Sequence, residues 1–280
     1  TYKVLVNKYE VYSNTVTTKT PKPPKPVKAV LDRSGKDING ATTFDRNVTF
    51  RLMTDYSPYT KTLASAQALG KKFAILDDVQ DGAFSVYQGN IKMTAAGKDV
   101  KSLFDMHHVL SDKGRTDAIN KILKELNLQP RGEFYLWVAK DSKSFYQNYV
   151  KQNKNVTIDL PAKLLVKAGE KVKNDFKQID FGNSYQSNLV TVEVPNVKPE
   201  KHVLDRTGKK VLDGKEVQLG DFVQYLLDGV TVPEKHDTLY QYDGLDKLDT
   251  KHDRYTGNWK GIIKGTEYTA EKEITLPYDV

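Results

Sequence analysis

Apolar residues alternate with polar ones at several places along the chain, and each such place predicts a strand. Val48, Phe50 and Leu52 follow the period of two expected of a half-buried strand. Phe134, Leu136 and Val138 do the same, interleaved with Tyr135 and Trp137, and Val156, Ile158 and Leu160 follow. Shorter signals are the apolar run from Phe73 to Leu76 that ends in Asp77-Asp78, and Val86-Tyr87 ahead of the Gly89-Asn90 turn. A closing strand is expected from Asn188 to Val194, and the Asp-, Asn- and Gly-rich stretch Asp32 to Gly40 reads as the turn of an opening hairpin. Near the start, Val4, Val6, Val11 and the threonine run Thr15 to Thr20 are all strand formers.

The middle of the chain changes period. Ile119, Ile122, Leu123 and Leu126 fall at i, i+3, i+4 and i+7, one apolar stripe of a helix over Asp117 to Leu128. Thr116 suits its N-cap, and Pro130 with Gly132 would stop it. Lys101 to Leu110 reads as a second helix. Strands on either side of one helical excursion predict a mainly β chain, a β-sandwich with small helical insertions.

Two landmarks recur. Val30-Leu31-Asp32-Arg33-Ser34-Gly35-Lys36 returns as Val203-Leu204-Asp205-Arg206-Thr207-Gly208-Lys209, and Ser13-Asn14-Thr15-Val16-Thr17 returns as Ser187-Asn188-Leu189-Val190-Thr191. Both recurrences have nearly the same spacing, too long for a solenoid unit, so they predict tandem globular domains. The division is 1–26, the last strands of a preceding domain plus a linker; 27–196, one complete sandwich; and 197–280, a second sandwich expected to lack its final strands. Pro21-Lys22-Pro23-Pro24-Lys25-Pro26 reads as a stiff polyproline spacer, and Pro195 to Pro199 as a shorter joint between domains lying end to end.

Composition narrows the function. The net charge of the 280 residues is +7, yet only seven of the 43 basic residues are Arg, and the Lys are scattered. That describes a solvated exterior better than a nucleic-acid reader, which favours Arg for bidentate contacts. With no cysteine there are neither disulfides nor thiolate metal sites. No run approaches 18 apolar residues, so membrane insertion is not expected. The opening at Thr1, with no leader, lipidation or sorting signal, reads as an internal fragment.

Catalytic motifs are missing: there is no nucleotide-binding glycine loop, Ser/His/Asp set or HExxH. His107-His108, taken as helical, would point about 100° apart and not share a metal. The sequons at Asn47 and Asn155 lie in predicted strands and carry no weight. Acidic runs offer oxygen ligands for a structural Ca²⁺ at Asp77, Asp78 and Asp81 and at Asp243, Asp246, Asp249 and Asp253, with Asp78 and Asp246 as candidate ligands. Neither run has EF-hand spacing, and a solvated loop describes them better.

At this point the residues carry a resemblance. The Pro/Lys joint followed by Lys28-Ala29-Val30-Leu31-Asp32, and the strand Ser-Asn-x-Val-Thr running into proline, resemble the C-terminal domains of the streptococcal antigen I/II surface adhesins. The helix Asp117 to Leu128, Gly132-Glu133-Phe134-Tyr135-Leu136 and Phe145-Tyr146-Gln147-Asn148-Tyr149-Val150 are similar to the second of those domains. The resemblance implies tandem immunoglobulin-like (variant IgG) sandwiches, the second domain and part of the third. It further implies a non-enzymatic, extracellular protein of the bacterial cell wall, a monomer forming a rigid stalk. Its partners would be host glycoproteins, salivary or matrix, or other microbial surface proteins. The alternative is a non-catalytic carbohydrate- or matrix-binding sandwich attached to a secreted enzyme.

The family's intramolecular Lys–Asn isopeptide bonds set physical requirements. The lysine must be buried so that its amine is neutral, an Asn must lie beside it, and a buried protonated acid must polarise the Asn carbonyl. The resemblance implies Lys28 bonded to Asn188 with Asp77 assisting, though Lys25 and Lys36 flank the same strand. Counterparts in the incomplete units would be Asn14, Lys201 and Asp243, none of them able to complete a bond within this chain. A partner-docking region would comprise Ile119, Ile122, Leu123, Leu126 and Arg131, although Pro130 departs from the family pattern and packing on the sandwich explains the stripe better.

Overall fold

A computed structural model describes residues 1–263 and 266–269. The chain opens with a hairpin, β1 (Lys3–Val6) and β2 (Tyr9–Tyr12). The central unit follows: β3 (Val27–Leu31), β4 (Ala41–Thr42), β5 (Asn47–Met53), β6 (Ala74–Asp78), β7 (Phe84–Val86), β8 (Lys92–Ala95), β9 (Lys98–Asp99) and β10 (Phe104–Val109). It continues through β11 (Phe134–Ala139), β12 (Val156–Leu164), β13 (Lys171–Asn174), β14 (Lys177–Asp180), β15 (Asn183–Gln186) and β16 (Val190–Glu193). Three short helices interrupt it: α1 (Ala66–Leu69), α2 (Asp117–Glu125) and α3 (Ser142–Phe145). Beyond it lie β17 (Glu200–Leu204), β18 (Gln224–Asp228), β19 (Lys260–Ile263) and β20 (Thr266–Thr269), paired as two hairpins.

The central unit is a sandwich. One sheet runs β10-β11-β6-β14-β15; the facing sheet runs β3-β5-β12-β8-β9 with β7 also on β12; a third carries β13-β16-β4. Phe50, Leu52, Ile75, Tyr135, Trp137, Ile158 and Leu160 fill the space between, because alternate residues of each strand point to one face. On the outer face of the first sheet, Ile119 and Leu123 of α2 and Leu126 at its C-cap pack with Leu76, Phe134, Leu136 and Val138. Strand β11 is therefore buried on both faces, which is why Phe-Tyr-Leu-Trp-Val-Ala is apolar throughout.

Two elements differ from expectation. Lys101 to Leu110 is not a helix: a 3-10 turn at Lys101–Leu103 leads into β10, which pairs with β11 from Phe104↔Ala139 to Val109↔Phe134. The free edge of β11 needed a partner, and pairing overrode local propensity. Consequently His107 and His108 point to opposite faces; His108 stacks on Tyr135 at 4.2 Å and its Nε2 lies 2.7 Å from Glu133 Oε1. The stretch Thr15 to Thr20 forms no strand, and no strand pairs with it among the described residues.

Helix α2 starts where expected, with Thr116 Oγ1 accepting from Ile119 N. It ends before Pro130, through Asn127 at φ 53° and bonds from Asn127 N to Lys124 O and from Leu128 N to Leu123 O.

A segment of the last unit docks on the central one. Thr42 bridges His236 in parallel register, and Asp237 Oδ2 accepts from Thr43 Oγ1, Phe44 N and Asp45 N at 2.9–3.0 Å. Next to it, Thr238 donates its N and Oγ1 to Asp32 Oδ2 at 2.8 and 2.7 Å.

Candidate functional site

Lys28 sits on β3, the edge strand of its sheet, with its side chain directed into the sandwich and 0% exposed. Its Nζ lies 2.8 and 2.7 Å from the two carboxylate oxygens of Asp77, also 0% exposed, and donates to Asp175 O at 3.0 Å. Phe50 covers the amine, with its ring centroid 5.6 Å away. Asp77 belongs to β6 of the opposite sheet, so this pair spans the interior. On β13, Val172 and Asn174 face inward while Lys171 and Lys173 face solvent, and Asn174 Nδ2 approaches Asp77 Oδ2 at 3.5 Å.

Electrostatics at this site favour neutral partners. Burial pushes the Lys28 amine down and the Asp77 carboxyl up, and their mutual attraction offsets only part of each shift. In their neutral forms, toward which burial shifts both, the amine is a nucleophile and the carboxyl an acid. The carboxamide of Asn174 is 2% exposed and its Oδ1 has no hydrogen-bond partner. A half-turn of that carboxamide brings Oδ1 to Asp77, where a protonated carboxyl would donate to it. The three groups then satisfy one another.

Asn188 is held elsewhere. It precedes β16, and its carboxamide grips the main chain of Lys28: Oδ1 accepts from Lys28 N at 2.9 Å and Nδ2 donates to Lys28 O at 2.8 Å. Lys28 opposes Leu52 of β5, and alternate residues of an antiparallel strand turn their main-chain groups to the outer edge, where Asn188 meets them. Lys25 and Lys36 are exposed. The inward alternation Val172, Asn174 was the signal that could have found Asn174, an amide at a core position of a short strand.

The other expected residues divide. Lys201 Nζ meets Asp246 at 2.7 and 2.9 Å and stands 4.4 Å over the Tyr225 ring, so the acid beside it is Asp246 and not Asp243. Asp243 is exposed and bonded by the Gln241 amide two residues before it. Asn14 is exposed on the N-terminal unit. Asp78 accepts from Arg131 N and Asp81 from Glu133 N, uses that tie down the β11 approach. Among the described residues, no three His, Cys, Asp or Glu side chains gather as a metal site. Ile119, Leu123 and Leu126 are buried and Ile122 half-buried against the sheet, so the stripe is occupied by packing, while Arg131 is exposed. Among the described residues no helix is long and apolar enough to cross a membrane.

Comparison with known proteins agrees with this architecture. The family model for the cell surface antigen I/II C2 terminal domain matches residues 26–194, and that for the cell surface antigen C-terminus matches 198–274. Aggregation substance of Enterococcus faecalis is 27% identical over 270 residues, 95% of this chain and 19% of that protein. The C-terminal domain of the Streptococcus pyogenes antigen I/II-family protein AspA superposes with a TM-score of 0.66 at 32% identity, covering 76% of this chain and 64% of that one. The C-terminal domain of the Streptococcus agalactiae AgI/II polypeptide BspA gives 0.63 at 34%, covering 75% and 62%. The chain thus spans about a fifth of the enterococcal relative and just under two thirds of these solved domains.

Proposed function

Because this chain belongs to the cell surface antigen I/II family, we propose that it is a segment of an adhesin stalk locked by an isopeptide bond between Lys28 and Asn174. Domains of this family belong to surface adhesins, which supports a location outside the cell, at its surface, and a binding role. Family membership also favours the adhesin over a sugar-binding module of a secreted enzyme. Host glycoproteins or other microbial surface proteins are the partners proposed for the whole protein, on the family's character alone.

The buried Lys28–Asp77 pair with the Asn174 carboxamide beside it carries the proposal. The neutral Nζ attacks Cγ of Asn174 while Asp77 donates a hydrogen bond to Oδ1, stabilising the oxyanion that develops. As the tetrahedral intermediate collapses, Asp77 takes up the proton lost by Nζ and returns one to the departing nitrogen. The Cγ–Nδ2 bond then breaks and Nδ2 leaves as ammonia. One amine and one carboxamide become one secondary amide plus ammonia, with no oxidant or cofactor required.

The bond would join β3, which opens the sandwich, to β13, near its close. By the loop-closure argument used for disulfides, a cross-link spanning well over a hundred residues stabilises by about 5 kcal/mol. Intact-mass measurement with peptide mapping tests the reading. The expected result is a mass one ammonia below the sequence mass and a cross-linked peptide pair containing Lys28 and Asn174. A full sequence mass would overturn the bond, and a pair containing Asn188 would overturn the choice of partner.

A further inference from the structure

The Ser-Asn dipeptide that marks the repeat connects both reacting strands. Ser187 N donates to Phe176 O at 2.9 Å, and Ser187 Oγ accepts from Phe176 N at 2.9 Å while donating to Asn188 O at 2.9 Å. Asn188, next in sequence, holds both main-chain groups of Lys28. Phe176 lies two residues beyond Asn174 and directly after Asp175, whose carbonyl takes the Lys28 amine at 3.0 Å. One residue therefore fixes the strand end that carries the carboxamide, and its covalent neighbour fixes the strand that carries the amine.

Repetition of this geometry sets it apart from an incidental contact. Ser13 N donates to Tyr2 O at 2.9 Å, and Ser13 Oγ accepts from Tyr2 N at 2.8 Å and donates to Asn14 O at 2.9 Å. The serine reaches back eleven residues in both copies, as the separation of each bonded pair shows. Hairpin β1–β2 stands where β14–β15 stands, and the paired turns match too, Asn7 at φ 47° answering Phe181 at φ 51°. At Asn14 the serine half of the arrangement forms, and among the described residues no lysine strand meets it. The asparagine half is the part that meets the lysine.

We infer that Asn188 is a positioning residue for the Lys28–Asn174 ligation, anchored by Ser187, an inference that rests on the isopeptide reading above. Two hydrogen bonds on either side of Lys28 Cα leave the strand no freedom to slide, so Nζ is presented to Cγ in one register. Effective concentration in such reactions depends steeply on this: a shift of about 1 Å can cost a hundredfold in rate.

The test follows ligation in the full chain made by cell-free translation and sampled by intact mass, at a temperature where each variant is fully folded by circular dichroism. A merely stabilising role would leave all rates equal under that condition. Asn188→Ala and Ser187→Ala are each expected to lose ammonia at least about tenfold more slowly than wild type, and Ser187→Thr, which keeps the hydroxyl, at close to the wild-type rate. Should Asn188→Ala not fold, Ser187→Ala decides alone, because it retains the main-chain bond from position 187 to Phe176. Wild-type rates in the alanine variants would overturn the inference while leaving the ligation standing. A wild-type chain that never loses ammonia would remove the ligation itself, and the positioning role with it.

Discussion

At the scale of single residues, two of the buried acids, Asp77 and Asp180, have different consequences. Asp77 has a lysine beside it; Asp180 has none. Asp180 Oδ2 accepts from Tyr59 Oη at 3.0 Å and from Gln178 Nε2 at 2.5 Å, while its Oδ1 is buried without a partner. Burial pushes this carboxyl up to about 7, against hydrogen bonds from Gln178 and Tyr59 that pull the other way. The folded state thus keeps a proton that the unfolded chain gives up near pH 4. Its stabilising effect is complete below about pH 4, declines as pH rises toward 7, and is absent above that. The integrated loss is up to about 4 kcal/mol. Asp180→Asn should remove the slope, so the variant gains on wild type in thermal melts at pH 8 relative to pH 5; parallel pH profiles would contradict this. For Asn174→Ala, loss of the proposed tie predicts a melting temperature lower by roughly 10–20 °C, from about 5 kcal/mol at 2–4 °C per kcal/mol. The check is calorimetry with intact mass on the same sample.

Secondary-structure elements show what local pattern could and could not reveal. Strands β5, β11 and β12 and helix α2 were legible because burial imposes a period that composition alone does not disguise. Strand β10 was not, since its apolar residues do not alternate throughout and only the edge of β11 makes the segment a strand. Asn174 was missed for a related reason: the Ser-Asn repeat drew attention to Asn188, while a carboxamide on a four-residue strand carries no motif. Lys28 and Asp77 were legible through the resemblance, and their meeting across two sheets came only with the fold. Helix α2 offers a check on packing as opposed to docking. Leu123 is 4% exposed, so Leu123→Ala should cost about 2–5 kcal/mol in denaturant unfolding, as core truncations do. An unchanged midpoint would mean that the stripe is not core.

For the whole molecule, the question is how force and orientation pass from unit to unit. The last unit grips the central one through Asp237, 2% exposed, and through Thr238 on Asp32. Burial raises the Asp32 carboxyl, but hydrogen bonds from Ser34, Thr238 and Lys36 outweigh it and hold it near 2. A depressed carboxyl stabilises above its ordinary range and loses that contribution only as pH falls toward 2, so the joint should persist through mild acid. Asp237→Ala removes the acceptor of three donors and should loosen the joint, seen as a broader distance distribution in small-angle scattering. An unchanged distribution would mean that the contact does not set the orientation.

The central claim is that Lys28 and Asn174 are one covalent unit, so that pulling bypasses everything between them. Single-molecule extension of the unit 27–196, held at its two ends, tests this most directly. With the tie in place, only the few tens of residues outside the loop can lengthen, on the order of 10 nm at about 3.5 Å per residue. A release on the order of 60 nm, the contour length of the whole unit at the same rise, would show that no covalent tie bears the load.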